Sequence, residues 1–447
     1  MKRIIASTFA LATLSGAAYA QNVKDLEKRI EDLEFSNYEK YFSWSGSLEN
    51  RFDSTTSEEK KPTTTNKGTQ SYFETQLMID MMSRPSDKLS FFGRLSMRKL
   101  WNDGSYNAAQ TSGNNGGDAR GNDGLFTTWG YGRERGTAAV YVERAFMNYQ
   151  MMPSLTFTIG RLPTIDGMPK HITSASPTLG SYPTLAFSAI LDGMALTHGA
   201  KVGGGDLKTR FIYTPLQFAN YNANPTNTSG RGIGNTNDTD GKKVSTNNLM
   251  YSFMLDYTKG ATKFVRNTNL ILQWVNINEA FFGASTSSTL RLTNQRLALY
   301  AEFAGIAGTG FDFAAQFAMS KSESEGKLSG ALGVYCNESK CDVDGNSYVL
   351  TAKYNFGKFA LGYEYINHDK NSFAYDVANR GPLNIYGTAA SNTHHMFANW
   401  KIDNNLKMVF GYQMQQVDEL YTYGLFGKGT AADVERTNFY TRLIANF

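Results

Sequence analysis

The chain has 447 residues, of which 41% are hydrophobic and 13% aromatic, and its formal net charge is +4. A charge this close to balance gives no case for nucleic-acid binding, and the length suits either one large barrel or two to three ordinary domains. After residue 20 no apolar run is long enough for a membrane-spanning helix, whereas 25 Tyr, 29 Phe and 42 Gly favour a large β-structure.

The first twenty residues (1–20) predict a secretory signal peptide. Two basic residues open the chain, an apolar stretch follows over 4–14, and an Ala-Tyr-Ala motif ends at Ala20. A charged start, a short apolar middle and small residues before the cleavage site are typical of exported proteins. A membrane anchor is the alternative, but the apolar stretch is short for a spanning helix and is broken by Ser, Thr and Gly.

Residues 21–39 predict a short helix. Val23, Leu26, Ile30 and Leu33 fall at heptad a and d spacing, with charged residues between them. The segment spans fewer than two heptads, which is too short for a stable isolated helix. It could be stabilised as a small trimeric coiled coil, or as a single helix that rests on the body of the protein.

From residue 40 onward, apolar residues alternate with polar ones on a period of two, which indicates β-strands rather than helices. The alternation recurs in segments separated by turn and loop residues. These segments predict sixteen strands, at about 40–53, 70–84, 88–101, 138–151, 154–162, 192–202, 206–217, 247–258, 267–280, 289–304, 310–321, 346–356, 358–367, 392–402, 404–417 and 435–447.

The connections between the predicted strands alternate between short turns and long polar loops. The long loops are 54–69, 102–137, 163–191, 218–246, 281–288, 322–345, 368–391 and 418–434. An even strand number, short periplasmic turns and long extracellular loops are typical of a bacterial outer-membrane barrel. Because an open sheet would leave unpaired backbone groups in lipid, we expect an all-β fold, a closed antiparallel transmembrane β-barrel over 40–447.

The last strand supports a barrel that closes on itself. Phe439, Leu443 and Phe447 share the apolar phase and are expected to face lipid, whereas Arg442 lies on the lumen phase. We expect this strand to pair with the first one, around 40–53, so that the cylinder has no open edge.

Aromatic residues gather beside the short turns, where an interfacial girdle is expected. One charged residue, Arg161, falls on the lipid-facing phase of its strand unless a β-bulge intervenes. The predicted girdle residues are Tyr257, Phe303, Phe311, Phe356, Phe359, Trp400 and Phe447.

The two cysteines, Cys336 and Cys341, lie close together in an acidic, polar segment. In an exported protein such a pair predicts a local disulfide in an exposed loop. The stretch 342–346 could contribute to calcium binding, although it is too short for a complete EF-hand loop.

With sixteen strands, eight long loops, seven short turns and a terminal Phe, residues 40–447 resemble the porins of Gram-negative outer membranes. The resemblance implies a bacterial outer-membrane location, a homotrimer in contact with outer-membrane lipid, and a periplasmic position for 21–39. It also implies that the last strand, with Phe439, Leu443 and Phe447, is the signal that the outer-membrane assembly machinery reads.

In porins of this type the third long loop folds into the lumen and narrows it. Here that loop is 163–191, and its titratable residues are Asp166, Lys170 and His171. Porins usually set acids on this loop against a basic cluster on the barrel wall. This loop carries few carboxylates, which departs from the usual pattern.

The basic cluster proposed for the wall consists of Arg94, Arg98 and Arg144, which lie on the polar phases of two neighbouring strands. Three like charges so close together are costly unless acids or solutes compensate them. The cluster could bias which ions and solutes pass. For any single residue, the alternative is that its charge only solvates or cross-braces the inner wall. The remaining pore-lining candidates on polar phases are Arg51, Arg210, Arg296, Arg442, Glu49, Glu74, Asp80, Asp312 and Glu364.

The expected function is a porin: a water-filled channel for passive diffusion of small hydrophilic solutes and ions, with no catalytic residue, cofactor or metal. A sixteen-stranded barrel is wide enough for an aqueous channel. An enzyme is disfavoured because no nucleophile motif of the Gly-x-Ser-x-Gly type is present. A binding or adhesion barrel with a narrowed or closed lumen is the alternative, with the loop 102–137 as its surface.

Overall fold

The structure is a computed structural model. It describes residues 42–60, 65–101, 140–176, 180, 182–215, 249–282, 290–324, 328–331, 334–336, 340–372, 376, 381–418 and 433–447. The predicted signal peptide, the heptad segment and the loop 102–137 lie outside these ranges, so their assignments stay predictions.

The described chain consists almost entirely of β-strands. None of its helices combines the length and hydropathy that a membrane-spanning helix needs. The strands are β1 (Phe42–Lys60), β2 (Thr65–Ser86), β3 (Leu89–Leu100), β4 (Val140–Met152), β5 (Leu155–Arg161), β6 (Asp192–Val202), β7 (Gly205–Pro215), β8 (Leu249–Lys259), β9 (Asn267–Phe282), β10 (Leu290–Ala304), β11 (Phe311–Ser324), β12 (Leu328–Ala331), β13 (Val334–Cys336), β14 (Cys341–Phe356), β15 (Phe359–His368), β16 (Ser391–Lys401), β17 (Leu406–Val417) and β18 (Asp433–Asn446). One short α-helix, α1 (Lys170–Ser174), follows β5, and a 3-10 turn spans Ile306–Gly308.

Sixteen of these strands form one closed antiparallel barrel, which confirms the predicted fold. Each barrel strand pairs with the next barrel strand along the chain, so that β11 pairs with β14, and β18 pairs with β1 to complete the circle. β12 and β13 form a separate two-stranded sheet. At the seam, Phe447 and Gly46 exchange two backbone hydrogen bonds of 3.0 and 2.8 Å. The closure satisfies the backbone groups that an open edge would expose to lipid.

The alternation of side chains gives the barrel an apolar outside and a polar inside. Along β11, Phe311, Phe317 and Met319 are exposed on the outer face, whereas Asp312 and Gln316 are buried on the inner face. Successive side chains of a strand point to opposite faces, so one sequence phase faces lipid and the other faces the lumen.

Aromatic residues form two bands on the outer wall. At the end with the short turns, Phe359 stacks between Phe356 and Trp400 with ring centroids 6.1 and 5.8 Å apart. Toward the other end, Phe52 and Phe73 are in contact, 4.8 Å apart. The eight residue steps from Trp44 to Phe52 of β1 span about 26 Å along the strand, which a tilt of about 40° reduces to about 20 Å along the barrel axis. This is close to the apolar band of about 25 Å in outer-membrane barrels.

The prediction of a loop over 54–69 was wrong. β1 continues to Lys60 and β2 begins at Thr65, and the two strands stay in register throughout this segment. The Ser- and Thr-rich sequence is typical of a loop, but Thr also favours strands, and paired side chains such as Thr56 and Thr69 (3.2 Å) hold the extension together. The β1–β2 hairpin therefore extends well beyond the apolar belt.

A β-bulge in β4 changes which residues face the lumen. The pairing of β3 with β4 shifts between Arg94 and Leu95, so that Arg94 lies opposite Arg144 and Leu95 opposite Val142. The register skips Glu143, which is buried, and the neighbouring Arg144 is only 11% exposed on the same face. Two consecutive side chains thus point inward, which strict alternation cannot predict.

Arg161 lies on the outer face, as its phase indicated. It pairs across the β5–β6 ladder with Asp192, and the Arg161 Nε donates a 2.9 Å hydrogen bond to the Asp192 carboxylate. A second donor of Arg161 reaches the carbonyl of Val142 at 2.8 Å. These contacts satisfy the charge at the extracellular end of a short strand.

Cys341 is disulfide-bonded and buried at the start of β14. A disulfide at Cys341 agrees with the prediction, but the predicted exposed loop was wrong at this residue, because β14 extends to Cys341 and buries it. The side chain of Cys336 lies outside the described residues, so the pairing with Cys336 stays a prediction.

Candidate functional site in the barrel lumen

The segment between β5 and β6, residues 162–191, lies inside the barrel. Most of its described side chains are buried, and it contains the short helix α1. The carbonyl of Ala186 accepts a hydrogen bond from Arg296 of β10 at 3.4 Å. This placement agrees with the role that the resemblance to porins implies for 163–191.

An apolar cluster fixes this segment against one side of the inner wall. Leu185 and Phe187 of the inserted segment pack with Ile271, Val275 and Ile277 of β9. These three β9 side chains are apolar and buried although they point into the lumen. The inserted segment covers them and removes them from water, so the apolar phase of β9 is explained by packing.

A second segment, 381–390, also folds inward, and its role was not foreseen from the sequence. The Tyr386 hydroxyl donates hydrogen bonds of 2.6 and 2.9 Å to the two carboxylate oxygens of Glu364 on β15. Burial, reinforced by the Glu364 charge, raises the pKa of Tyr386 well above its usual value. Glu364 is therefore an anchor for this segment rather than a group that faces solutes.

The two inserted segments contact each other. Lys170 of α1 makes a 3.0 Å ion pair with the buried Asp376, and its Nζ lies 5.1 Å from the centre of the Tyr386 ring. Ser188 and Asp376 also form an isolated parallel β-bridge. The lumen is thus narrowed by two segments that hold one another.

A cavity of about 330 Å³ remains beside the inserted segments, against β1–β3 and β16–β18. Hydroxyl side chains of β1 and α1 contribute to its lining, together with the aromatic rings of Tyr386 and Tyr440. The predicted site residues that line it are Glu49, Arg51, Asp80, Arg94, Arg442, Asp166, Lys170 and His171.

The basic cluster on β3 and β4 is neutralised by carboxylates. Arg94 makes two hydrogen bonds of 2.7 Å to Asp80 and one of 3.3 Å to Glu143. Arg98 binds Glu74 through contacts of 2.7 to 3.0 Å. The positive charges on these neighbouring strands are tolerated because each arginine faces a carboxylate, which for Arg144 is Glu143 at 3.8 Å. Glu143 was not among the residues predicted to face the lumen.

The inserted segment adds an acid to this arrangement. Asp166, whose backbone has a positive φ of 56°, lines the same cavity as Arg94 and lies near enough to Arg94 and Arg144 to feel their charges. The acidic side chain of the inserted segment and the basic side chains of the wall therefore lie close together. The resemblance to porins implies an arrangement of this kind.

The seam between β18 and β1 contributes two further ion pairs. Arg442 makes two hydrogen bonds of 2.7 Å to Glu49, and Arg51 contacts Asp53 at 2.5 and 2.8 Å. The Arg51 guanidinium also lies 4.8 Å from the centre of the Tyr440 ring. Positive and negative charges thus alternate along this wall of the cavity.

The remaining candidates brace the inner wall elsewhere. Arg210 pairs with Asp256 at 2.9 Å, and Asp312 contacts Lys353 at 3.3 Å. Arg296 lies beneath the inserted segment. The candidates outside the cavity lining are Arg98, Arg144, Arg210, Arg296, Glu74, Asp312 and Glu364.

No metal centre is present in the described ranges, since no three His, Cys, Asp or Glu side chains there are arranged to hold an ion. This includes the stretch 342–346, where Asp342 forms a 3.3 Å ion pair with Lys321. The chemistry that the lumen offers is hydrogen bonding and balanced charge.

The closed sixteen-stranded barrel, its apolar outer belt and its polar, loop-narrowed interior define a bacterial outer-membrane β-barrel with the porin fold. The chain belongs to the family described as protein of unknown function (DUF3373), whose model matches residues 66–379. No curated protein matches the sequence.

Three solved structures illustrate the similarity of fold. OprB from Pseudomonas putida at high pH has 9% identity and a TM-score of 0.50, over 93% of this chain and 96% of its own. The anion-selective porin from Comamonas acidovorans has 12% identity and a TM-score of 0.49, over 91% and 99%. OmpF from Salmonella typhi in complex with daunomycin has 12% identity and a TM-score of 0.47, over 91% and 97%.

Proposed function

We propose that the protein forms a water-filled channel across the outer membrane for passive diffusion of small hydrophilic solutes and ions. The observation that carries this proposal is the cavity of about 330 Å³ inside the closed barrel, with charged and hydroxyl side chains on its wall. Such a lining replaces part of the hydration shell of a passing solute, as in other selective pores.

The ion pairs of the lining favour weak ion selectivity. Arg442 and Arg94 each hold a carboxylate in a two-point contact of 2.7 Å, and Lys170 holds Asp376. A passing ion therefore meets neighbouring charges of both signs. The two inserted segments favour small solutes, because they fill the lumen next to β9 and β10.

Assembly and targeting belong to the same proposal. We expect 1–20 to be removed on export and Phe439, Leu443 and Phe447 to mark the barrel for insertion. The latter three side chains are exposed on the outer face of the last strand. We expect a homotrimer supported by the heptad segment within 21–39.

Catalysis is not part of the proposal. His368 lies 2.8 Å from the Ser347 hydroxyl, but both residues are buried in the wall between β14 and β15. His395 contacts the Tyr440 hydroxyl at 2.9 Å and serves to position that ring.

A liposome swelling assay tests the channel. Purified full-length protein would be reconstituted in liposomes and transferred to isosmotic solutions of uncharged sugars of increasing size. We expect swelling rates that fall with solute size, and heat-denatured protein provides the control. Vesicles that stay impermeable to the smallest sugar, while the barrel is folded, would favour the closed binding barrel instead.

A further inference from the structure

Three contacts place α1 near one end of the barrel. On one wall, Asn269 Nδ2 donates a 3.2 Å contact to the sulfur of Met168, and Glu302 lies 3.2 Å from His171 Nε2. On another wall, Lys407 Nζ donates hydrogen bonds of 2.7 Å to the Ala175 carbonyl and to the Ser176 hydroxyl.

The wall residues that make these contacts share one position along the barrel axis. Asn269 is the third residue of β9, Glu302 is followed by two more residues of β10, and Lys407 is the second residue of β17. All three therefore lie next to the short turns. In outer-membrane barrels the short turns face the periplasm, so α1 lies at the periplasmic mouth.

The segment 168–176, which contains α1, connects two distant parts of the barrel wall. β9 and β10 are separated from β17 by four strands, β11, β14, β15 and β16. A segment that enters the lumen between β5 and β6 and reaches β17 must traverse the interior. The cavity lies between this crossing segment and the wall formed by β18, β1 and β2.

We propose that Lys407 holds α1 in place at the periplasmic mouth of the channel and thereby sets the size limit for solutes. This inference rests on the proposed channel function. Lys407 reaches the left-handed cap of α1 at Ala175, where the helix ends and its carbonyl groups lack helical partners. A lysine at a helix C-terminus also interacts favourably with the helix dipole.

His171 and Glu302 hold the helix at its other side. Glu302 also accepts a 2.8 Å hydrogen bond from the Tyr300 hydroxyl, so its carboxylate is fixed on the wall. With both sides tethered, α1 cannot move toward the wall and widen the passage. Without the Lys407 contacts, the end of α1 that borders the cavity is free to move toward the wall.

The first experiment compares Lys407→Met with Lys208→Met in planar bilayers and in swelling assays. Lys208 is an exposed lysine on the inner face of β7, on the far side of the barrel from β17, so its removal matches the charge change. We expect Lys407→Met to raise unitary conductance and to admit larger sugars, whereas Lys208→Met keeps the wild-type size limit. A Lys407→Met channel with the wild-type conductance and size limit overturns the inference.

The second experiment tests the location of α1 directly. A Ser174→Cys variant keeps both contacts of Lys407 and places the thiol in the cavity lining. It would be exposed to a membrane-impermeant thiol reagent from either side of an oriented membrane; Cys341 does not compete because it is disulfide-bonded. We expect faster modification from the periplasmic side, and faster modification from the extracellular side overturns the placement. If the wild-type protein forms no channel, the proposed function fails, while sided modification still decides where α1 lies.

Discussion

Arg442 of the last strand holds Glu49 of the first strand by two hydrogen bonds of 2.7 Å. The two residues are 393 positions apart in the sequence, so the contact exists only when the barrel is closed. Because Glu49 is buried, it depends on this partner for its charge to be tolerated.

Replacing Arg442 with Ala is expected to destabilise the closed barrel. Loss of the two-point contact to the buried Glu49 carboxylate should lower the free energy of unfolding by about 3 kcal/mol or more. Equilibrium unfolding in detergent with urea measures the change. As a control, Lys60→Ala removes a solvent-exposed partner of Glu435 at the same seam and should have little effect. Equal effects of the two substitutions would contradict the role of Arg442.

Gly411 makes room for an aromatic ring in the lumen. A Cβ at this position would lie 2.2 Å from the Tyr440 ring, which is held by His395 and Arg51. Gly411→Val should therefore displace Tyr440 and lower the free energy of unfolding by about 1–3 kcal/mol. Gly199→Val is the matched control on the inner face of β6, since no atom lies within 4 Å of a Cβ there. Near-ultraviolet circular dichroism would report the displaced ring, and an unchanged spectrum would count against this packing.

Tyr386→Phe removes both hydrogen bonds to the buried Glu364. The free energy of unfolding should fall by about 1–3 kcal/mol, because the carboxylate loses donors that water cannot replace. Burial raises the folded-state pKa of Tyr386 well above 10, so its stabilising contribution is fully present below the unfolded-state pKa of about 10 and is lost as the pH rises through the folded-state value.

The difference in unfolding free energy between the wild type and Tyr386→Phe should therefore be the same at pH 7 and pH 9, and it should shrink only above pH 10. Denaturant unfolding at these pH values measures it. A difference that already vanishes at pH 9 would show that Tyr386 titrates near its usual pKa.

Glu143 is expected to influence ion selectivity. Glu143→Gln removes a carboxylate that faces Arg94 and Arg144, so the lumen should become more selective for anions. Reversal potentials across a KCl gradient measure the shift. Asp192→Asn removes a carboxylate from the outer face instead and should leave the reversal potential unchanged. A shift toward cations in Glu143→Gln would contradict the assignment of Glu143 to the lumen.

The barrel strands could be predicted from the sequence because each buries one face and exposes the other to lipid. Strand alternation depends only on neighbouring residues, so it is readable locally. The same local rule failed at Glu143, since a β-bulge adds one residue to β4 and reverses the phase. It also failed over 54–69, where a strand continues beyond the membrane and loses its apolar phase.

The arrangement of the lumen was less predictable because it depends on contacts between distant segments. The residues Arg94 and Asp166 were recognised from their phase and their loop. The insertion of 381–390 was not, although the apolar residues Leu383, Ile385 and Tyr386 within this loop, all of them buried, are a signal that could have indicated it. The role of Lys407 was also missed, because a lysine on the lumen phase gives no sign of which segment it will reach.

Single-channel recording of the full-length protein in planar bilayers tests the central claim most directly. We predict discrete stepwise increases in conductance, with weak ion selectivity, at protein concentrations where the buffer and detergent alone give none. A barrel that is folded by circular dichroism and heat-modifiable electrophoretic mobility, yet inserts without any conductance step, would contradict the channel function.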